Sequence, residues 1–430
     1  MSNTNPPGLF SEATRRYVLG TLVVVYTFNF IDRQILSILL EAIKQDLGLS
    51  DTQLGLLTGF AFALFYATLG IPIARWADRG SRRNIISLAL AIWSGMTALS
   101  GLAQNFWHLL LARIGVGVGE AGCSPPAHSM ISDYYPAERR ATALGVYSLG
   151  IPFGILFGFL AGGWINEFFG WRLAFFVVGI PGLILAVIVR LSVKEPPRGM
   201  AEGRAPSDEQ PSIMETFRYL WQKRSFRQLA FGGALTAFVG YGFVTWIPAF
   251  LIRSHGMETG EIGTWLGLII GIPGGIGIAL GGWVADRLGS RDPRWYLWNV
   301  AVALVIVVPP SVLMFLADSP YAALALFIIP AMLGNFYQAT TFSQTQRLVP
   351  LRMRAVAAAV LLFILNIIGL GLGPQLVGFV SDLLAPRFAE HSLRYSLLIF
   401  SLFNLWAAYH YYLAGKHLPE ELAVIQEADT

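Results

Sequence analysis

Four ionisable residues lie deep inside apolar stretches that otherwise carry no charge away from their ends: Asp32 and Arg33 in one stretch, Arg113 and Glu120 in another. Charge in an apolar medium is costly, so residues of this kind face a protein interior or a water-filled cavity and pair with one another. Two acids beside two bases can hold an anion next to carboxyls that take up and release a proton. They can equally form a resting ion-pair network that ties helices together. Arg113 and Glu120 are seven residues apart, which puts them on one helix face to within about 20° but about 10 Å apart along the axis. Arg33 and Arg113 are therefore expected to form a basic pair, with Glu120 deeper in its helix. Asp32 and Arg33 are sequence neighbours, and neighbours on a helix do not face each other. An acid with no cation close by is the better proton carrier, so Glu120 is expected to change protonation while Asp32 orients Arg33.

The second half of the chain offers aromatic and neutral polar residues instead. Phe238, Tyr241 and Trp246 fall in one apolar stretch, Tyr337 and Gln338 in another, and Asn366 in a third. These aromatic residues can pack into a core or face lipid; opposite a charged first half, they line a cavity with one charged and one apolar wall. Such a cavity suits an amphiphile with an acidic head. The run from Arg113 to Pro126 combines four glycines with Pro125 and Pro126, so its helix is expected to kink. Gly154, Gly158 and Gly162 repeat at four-residue spacing as a small-residue packing face. Cys123 is the only cysteine, which excludes an intrachain disulfide and a thiolate metal cluster. There is no nucleotide-binding GxxxxGK[ST] loop, and His128 has no nucleophile to serve and is read as a packed residue. Neither an enzyme, a metal nor a cofactor is expected.

Elements that position these residues must be membrane helices. Of the 430 residues, 55% are hydrophobic and 13% charged, and the mean hydropathy is +0.57; soluble domains carry roughly 25% charged residues. Runs of about 20 apolar residues, the length needed to cross a bilayer, occur at 18–40, 53–73, 85–103, 107–132, 142–165 and 173–189, and again at 228–251, 262–285, 295–317, 321–344, 355–381 and 395–413. Twelve spans put both termini on one side. Arg15, Arg16, Arg75, Arg79, Arg82, Arg83, Arg139, Arg140 and most other basic residues fall on that side, against Lys44, Arg172, Arg253, Arg387 and Arg394 opposite, so both termini are expected in the cytoplasm. A formal net charge of +4 spread in this way gives no nucleic-acid surface. No cleaved signal peptide is read at the start.

A repeat divides the chain in two. ARWADRGSRR at 74–83 is echoed by GGWVADRLGSR at 281–291, with Asp78 and Asp286 lying 208 residues apart. Duplicated halves follow: a six-helix bundle at 1–193, a cytoplasmic linker at 194–227 and a second six-helix bundle at 228–430. The linker's latter part, 213–227, has apolar residues at helical spacing among basic ones, and either lies along the membrane surface or stands solvated.

The two Asp-Arg loops, the span count and the central linker resemble the major facilitator superfamily, whose loop signature reads G-x-x-x-D-R-x-G-R-R. The second copy departs from it at Ser290, and the first at Ala74 and Ser81. Asn29-Phe-Ile-Asp-Arg33, Arg113 through Glu120 and Ser124-Pro-Pro are similar to the spinster-like transporters of lysophospholipids and sphingoid phosphates. The anion:cation symporters of sugar acids share an Asn-x-x-Asp-Arg type first span. The resemblance implies an all-α major facilitator fold and a secondary active transporter working by alternating access, with protons as the driving ion. It implies that Arg33 and Arg113 bind substrate, that Asp32 and Glu120 couple it to protons, and that Asp78, Arg79, Arg82, Asp286 and Arg287 gate the cytoplasmic side. Expected partners are a lipid-like or organic anion, protons and bilayer lipids, in a monomer of the bacterial inner membrane.

Overall fold

The computed structural model describes residues 10–198 and 212–429, all-helical and without a strand among them. The chain opens with α1 (Glu12–Leu47), α2 (Asp51–Thr58) and α3 (Phe60–Arg79). It gathers into two units, Met1–Ala42 with Leu64–Asp208, and Ile43–Ala63 with Glu209–Thr430. The end of α1, all of α2 and the start of α3 therefore belong to the second unit.

The first unit continues through α4 (Arg82–Ser100), α5 (Phe106–Glu120), α6 (Ser124–Tyr134), α7 (Ala137–Ser148), α8 (Gly150–Phe169) and α9 (Trp171–Ser192). Helix α4 lies between α5 and α9. Glycine permits this: a Cβ on Gly119 of α5 would stand 2.7 Å from the backbone nitrogen of Trp93. The glycines of α8 do the same for α1, where a Cβ on Gly158 would meet Cβ of Gln34 at 2.9 Å. That contact fixes the turn of α1 carrying Asp32 and Arg33. The expected kink is a full break: α5 stops at Glu120, and α6 restarts with Pro125 and Pro126 in its first turn, where a missing N–H costs nothing.

The second unit holds α10 (Ile213–Gln222), α11 (Arg224–His255), α12 (Thr259–Gly289), α13 (Trp295–Leu316), α14 (Pro320–Leu333), α15 (Tyr337–Arg347), α16 (Arg354–Ile364), a π-helical segment (Leu365–Leu372), α17 (Gly373–Phe388), α18 (Ser392–Ser401) and α19 (Phe403–Asp429). Its core, with Leu229, Leu304, Leu361, Tyr411 and Leu418, is shared by α11, α13, α16 and α19. The π-helical segment and α17 approach α11 through glycine, since a Cβ on Gly373 would stand 2.5 Å from the carbonyl of Phe238. Helix α2 packs on α17 in the same way, through Gly55 against Pro374, and Gly59, just after α2, meets Gly371 of the π-helical segment. Ser50 caps α2 by accepting from the Gln53 N–H, and Gln53 returns the bond to Ser50 N–H.

Among the described residues, nine helical stretches are long and apolar enough to cross a membrane. One of them, Arg354–Ile425, is 72 residues long and contains two of the expected spans. The expected third span is α4, whose first turn holds Arg82 and Arg83; the fourth is divided between α5 and α6, each too short alone. Residues 199–211 of the expected linker lie outside the described residues. The amphipathic stretch after them is α10, which packs on α11 and α16.

Candidate functional site

Helix α1 brings Arg33 to α5, where its Nε donates to Glu120 Oε2 at 2.6 Å. The Arg33 guanidinium also lies over the rings of Phe30, at 5.0 Å, and Tyr66 of α3, at 4.6 Å. Asp32, Arg113 and Glu120 are all buried, and Arg113 interacts electrostatically with Glu120, Asp32 and Arg33. The four residues singled out in the sequence therefore form one charge cluster inside the first unit. Its internal pairing differs from the expectation. Glu120 is held against Arg33, while neither Asp32 carboxyl oxygen has a hydrogen-bond partner among the described residues. The α5 axis alone suggested that Glu120 stood far from a cation; packing of α1 across it supplies one.

Aromatic residues surround this cluster. Tyr26 stacks on Tyr147 with centroids 4.4 Å apart and meets Phe30 edge-on, while His128 stands edge-on to Tyr147. Tyr66, Tyr26 and Tyr147 were not singled out in the sequence; the signal was a single tyrosine in each of three largely apolar spans.

In the second unit, Tyr241 and Tyr337 interact with each other and pack at the border of the core, and Gln338 donates to Asn335 Oδ1 at 3.2 Å. Phe238 and Trp246, expected on a cavity wall, are packed inside the unit. Phe238 stacks on Phe403, and Trp246 is fully buried with its indole N–H donating to the Pro374 carbonyl at 2.8 Å. They sit on the α11 face that meets α17, which the apolar pattern of α11 did not distinguish from the other face.

The expected gating residues are dispersed. Arg82 is buried and clamps the end of the unit: Nε donates to Glu195 at 2.8 Å, Nη1 to Ser129 at 3.0 Å and to Asp133, and Nη2 to the Pro196 carbonyl at 2.7 Å. Burial alone would raise the Glu195 carboxyl, but the N–H of Arg83, the Arg82 guanidinium and the Ser81 hydroxyl together hold it below its ordinary range. Arg79 is exposed, and the side chain of Asp78 lies outside the described residues. Asp286 and Arg287 are exposed at the end of α12, with Arg287 over the Trp283 ring.

A second charged centre went unnoticed because it sits at span ends, outside the search for charge within spans. Asp51 receives both terminal nitrogens of Arg253, at 2.7 and 2.8 Å, together with Lys44 Nζ at 2.5 Å and the Ser381 hydroxyl at 2.7 Å. Asp382 accepts the Asp51 and Thr52 N–H groups at the start of α2. All of these residues belong to the second unit. No group of three or more His, Cys, Asp or Glu able to hold a metal occurs among the described residues.

Long apolar helices around a buried charge cluster define a multi-pass integral membrane protein. The sequence profile of the Major Facilitator Superfamily matches residues 22–374, and the chain belongs to that superfamily of transporters. It is 36% identical to an MFS-type efflux pump of Mycolicibacterium smegmatis, over 95% of this chain and 94% of that one. It is 29% identical to the hexuronate transporter of Bacillus subtilis, over 85% of this chain and 87% of the other. A crystal structure of a bacterial homologue of the human lysosomal transporter Spinster, inward-facing and unoccupied, matches with a TM-score of 0.89 and 36% identity, covering 96% of this chain and 99% of that one.

Proposed function

We propose that the protein is a proton-coupled secondary active transporter that moves an amphiphilic organic anion, of the lysophospholipid or sphingoid phosphate class, by alternating access. The observation that carries this reading is the 2.6 Å contact of Arg33 with Glu120. Two arginines balance two carboxylates in this buried cluster. An added monoanion leaves it one charge negative, which a low-dielectric site tolerates poorly. Taking one proton restores the balance. A substrate anion bound at Arg33 displaces Glu120, and the released carboxylate is the group that takes that proton. Arg113 supplies the second positive charge of the cluster. In this reading Phe238 and Trp246 hold α11 in place instead of touching substrate.

Alternating access is carried by two six-helix bundles, 1–193 and 228–430, in a bacterial inner membrane with both termini cytoplasmic, each protein working as a monomer. Arg79, Arg82, Asp78, Asp286 and Arg287 act at the cytoplasmic gate. Likeness to the Spinster homologue supports a spinster-like transporter, and the lipid class follows from that resemblance. The hexuronate relative supports a second reading, an anion:cation symporter for small organic acids such as sugar acids.

Proteoliposomes under an imposed pH gradient, offered lysophospholipid, sphingoid phosphate and hexuronate in turn, separate these readings. One proton taken up with each anion makes affinity rise as pH falls, by up to about tenfold per pH unit. Glu120→Gln should bind with little pH dependence and fail to accumulate substrate. Accumulation equal to the parent's in folded Glu120→Gln removes Glu120 from the coupling role.

A further inference from the structure

Helix α10 has two sides with different surroundings. Leu220 is buried in the core of the second unit, whereas Met214, Phe217 and Trp221, spaced i, i+3 and i+7, form a stripe in which Met214 and Trp221 are exposed. Phe217 stacks on Trp221 with centroids 5.3 Å apart, and Trp221 meets Phe231 of α11 at 6.1 Å. These three rings, with Ala230, Ile364 and Ile368, line a cavity of about 200 Å³ among α10, α11, α16 and the π-helical segment. All six residues are apolar and the Phe231 and Trp221 rings are exposed, so water entering from outside finds no polar partner there. Basic residues border the same rings. Arg227 and Arg224 precede Phe231 by about one and two helical turns and lie within about 40° of it around α11, and Arg218 is exposed beside the α10 stripe. The nearby acids are engaged elsewhere: Glu421 accepts the Arg224 and Ser225 N–H groups, and Glu215 stands 3.8 Å from Arg352. The chain before α10, residues 199–211, has Met200 as its one large apolar residue and does not suit the space.

We propose that this cavity is a lipid site on the flank of the second unit, seating one acyl chain of an anionic phospholipid while Arg218, Arg224 and Arg227 hold its phosphate-bearing head. Helix α11 has 32 residues against the about 20 needed to cross the hydrocarbon, which leaves its first turns to stand at headgroup level while Phe231 reaches the chains. Guanidinium groups bind phosphate oxygens in pairs, and basic residues at the end of a membrane helix select negatively charged heads. Trp221 suits the boundary between the two, where indole rings gather. A bilayer lipid supplies both a charge and an apolar chain, and a free anion supplies only the first. The charge cluster lies in the first unit and this cavity in the second, so the lipid here is a fixture and not cargo. Bound in this way it fastens α10 to α11 and α16.

Tryptophan fluorescence of the full chain in phosphatidylcholine vesicles tests this, using a small fraction of lipid brominated on its chains, which quenches the indoles it touches. Brominated phosphatidylglycerol should quench more than the same fraction of brominated phosphatidylcholine. Trp221→Phe, which keeps a ring in place, should remove that excess and so identify the indole at the seat. Arg224→Gln combined with Arg227→Gln, which leaves the main-chain bond to Glu421 intact, should bring the two lipids to equal quenching. Glycerol 3-phosphate, which has the charge without the chain, should leave the excess unchanged. Thermal melting of each variant establishes that it is folded. Equal quenching by the two lipids in the parent overturns the proposal, as does an excess that survives in Trp221→Phe or in the double arginine variant, and loss of the excess on adding glycerol 3-phosphate overturns the acyl seat. None of these results bears on Glu120, whose role is decided by accumulation.

Discussion

Arg33 binds Glu120 through its Nε edge and offers its face to Phe30 and Tyr66, so one side chain holds three elements together. Lysine can reproduce the charge but not the stacked plane. Arg33→Ala should destabilise the protein by about 3–5 kcal/mol, because it strands a buried carboxylate. Adding Glu120→Gln should return much of that loss, since the stranded charge is then gone. Chemical or thermal unfolding in detergent, run as a double-mutant cycle, checks both statements; equal losses in Arg33→Ala and the double variant would argue against a functional pair. All four members of the cluster were legible in the sequence, because charge inside an apolar run is conspicuous. Their pairing was not. Helix periodicity relates residues on one helix, and the Arg33 partner lies on another. Tyr66 and Asp51 stayed hidden for separate reasons: the first is uncharged, and the second sits where charge is ordinary.

At the scale of elements, Arg82 and Glu195 fasten the strand of chain leaving α9 to the start of α4 and the end of α6. Tyr134 adds a bond to the Lys194 carbonyl at 2.5 Å, and Arg198 donates to the carbonyls of Ala77 and Gly80. The Glu195 carboxyl is held below its ordinary range, so its contribution to stability is complete above the unfolded value of about 4.3 and fades as pH falls through the folded value. The difference in melting temperature between parent and Glu195→Gln should therefore be constant near neutrality and shrink below about pH 4. A difference that grows on acidification would reverse the sign and reject the assignment. The loop motif announced Arg82 as important, but its partners come from residues 129, 133 and 195, which no local pattern connects to it. The break between α5 and α6 was more legible, because glycine and proline act on the backbone where they stand.

For the molecule as a whole, the repeat and the apolar runs gave a helical membrane protein in two halves, since hydropathy reports burial in lipid directly. Hydropathy is blind to which helix packs on which. Nothing in it indicated that Ile43–Ala63 would group with the second half of the chain. That grouping has a consequence for fragments. If the chain is expressed as two polypeptides, divided between residues 199 and 211, the first still carries α2 and Asp51, and the second still carries Arg253, Ser381, Asp382 and the glycine-lined surface of α17. The pieces should recognise each other without a peptide bond, so that an affinity tag on one recovers the other from membranes. Asp51→Ala combined with Arg253→Ala should lower the recovered amount several-fold, and an unchanged yield would mean that the polar join contributes little to complementation. A protein that withstands being cut there also tolerates insertion there, which makes the same stretch the natural place to add a reporter domain without disturbing transport.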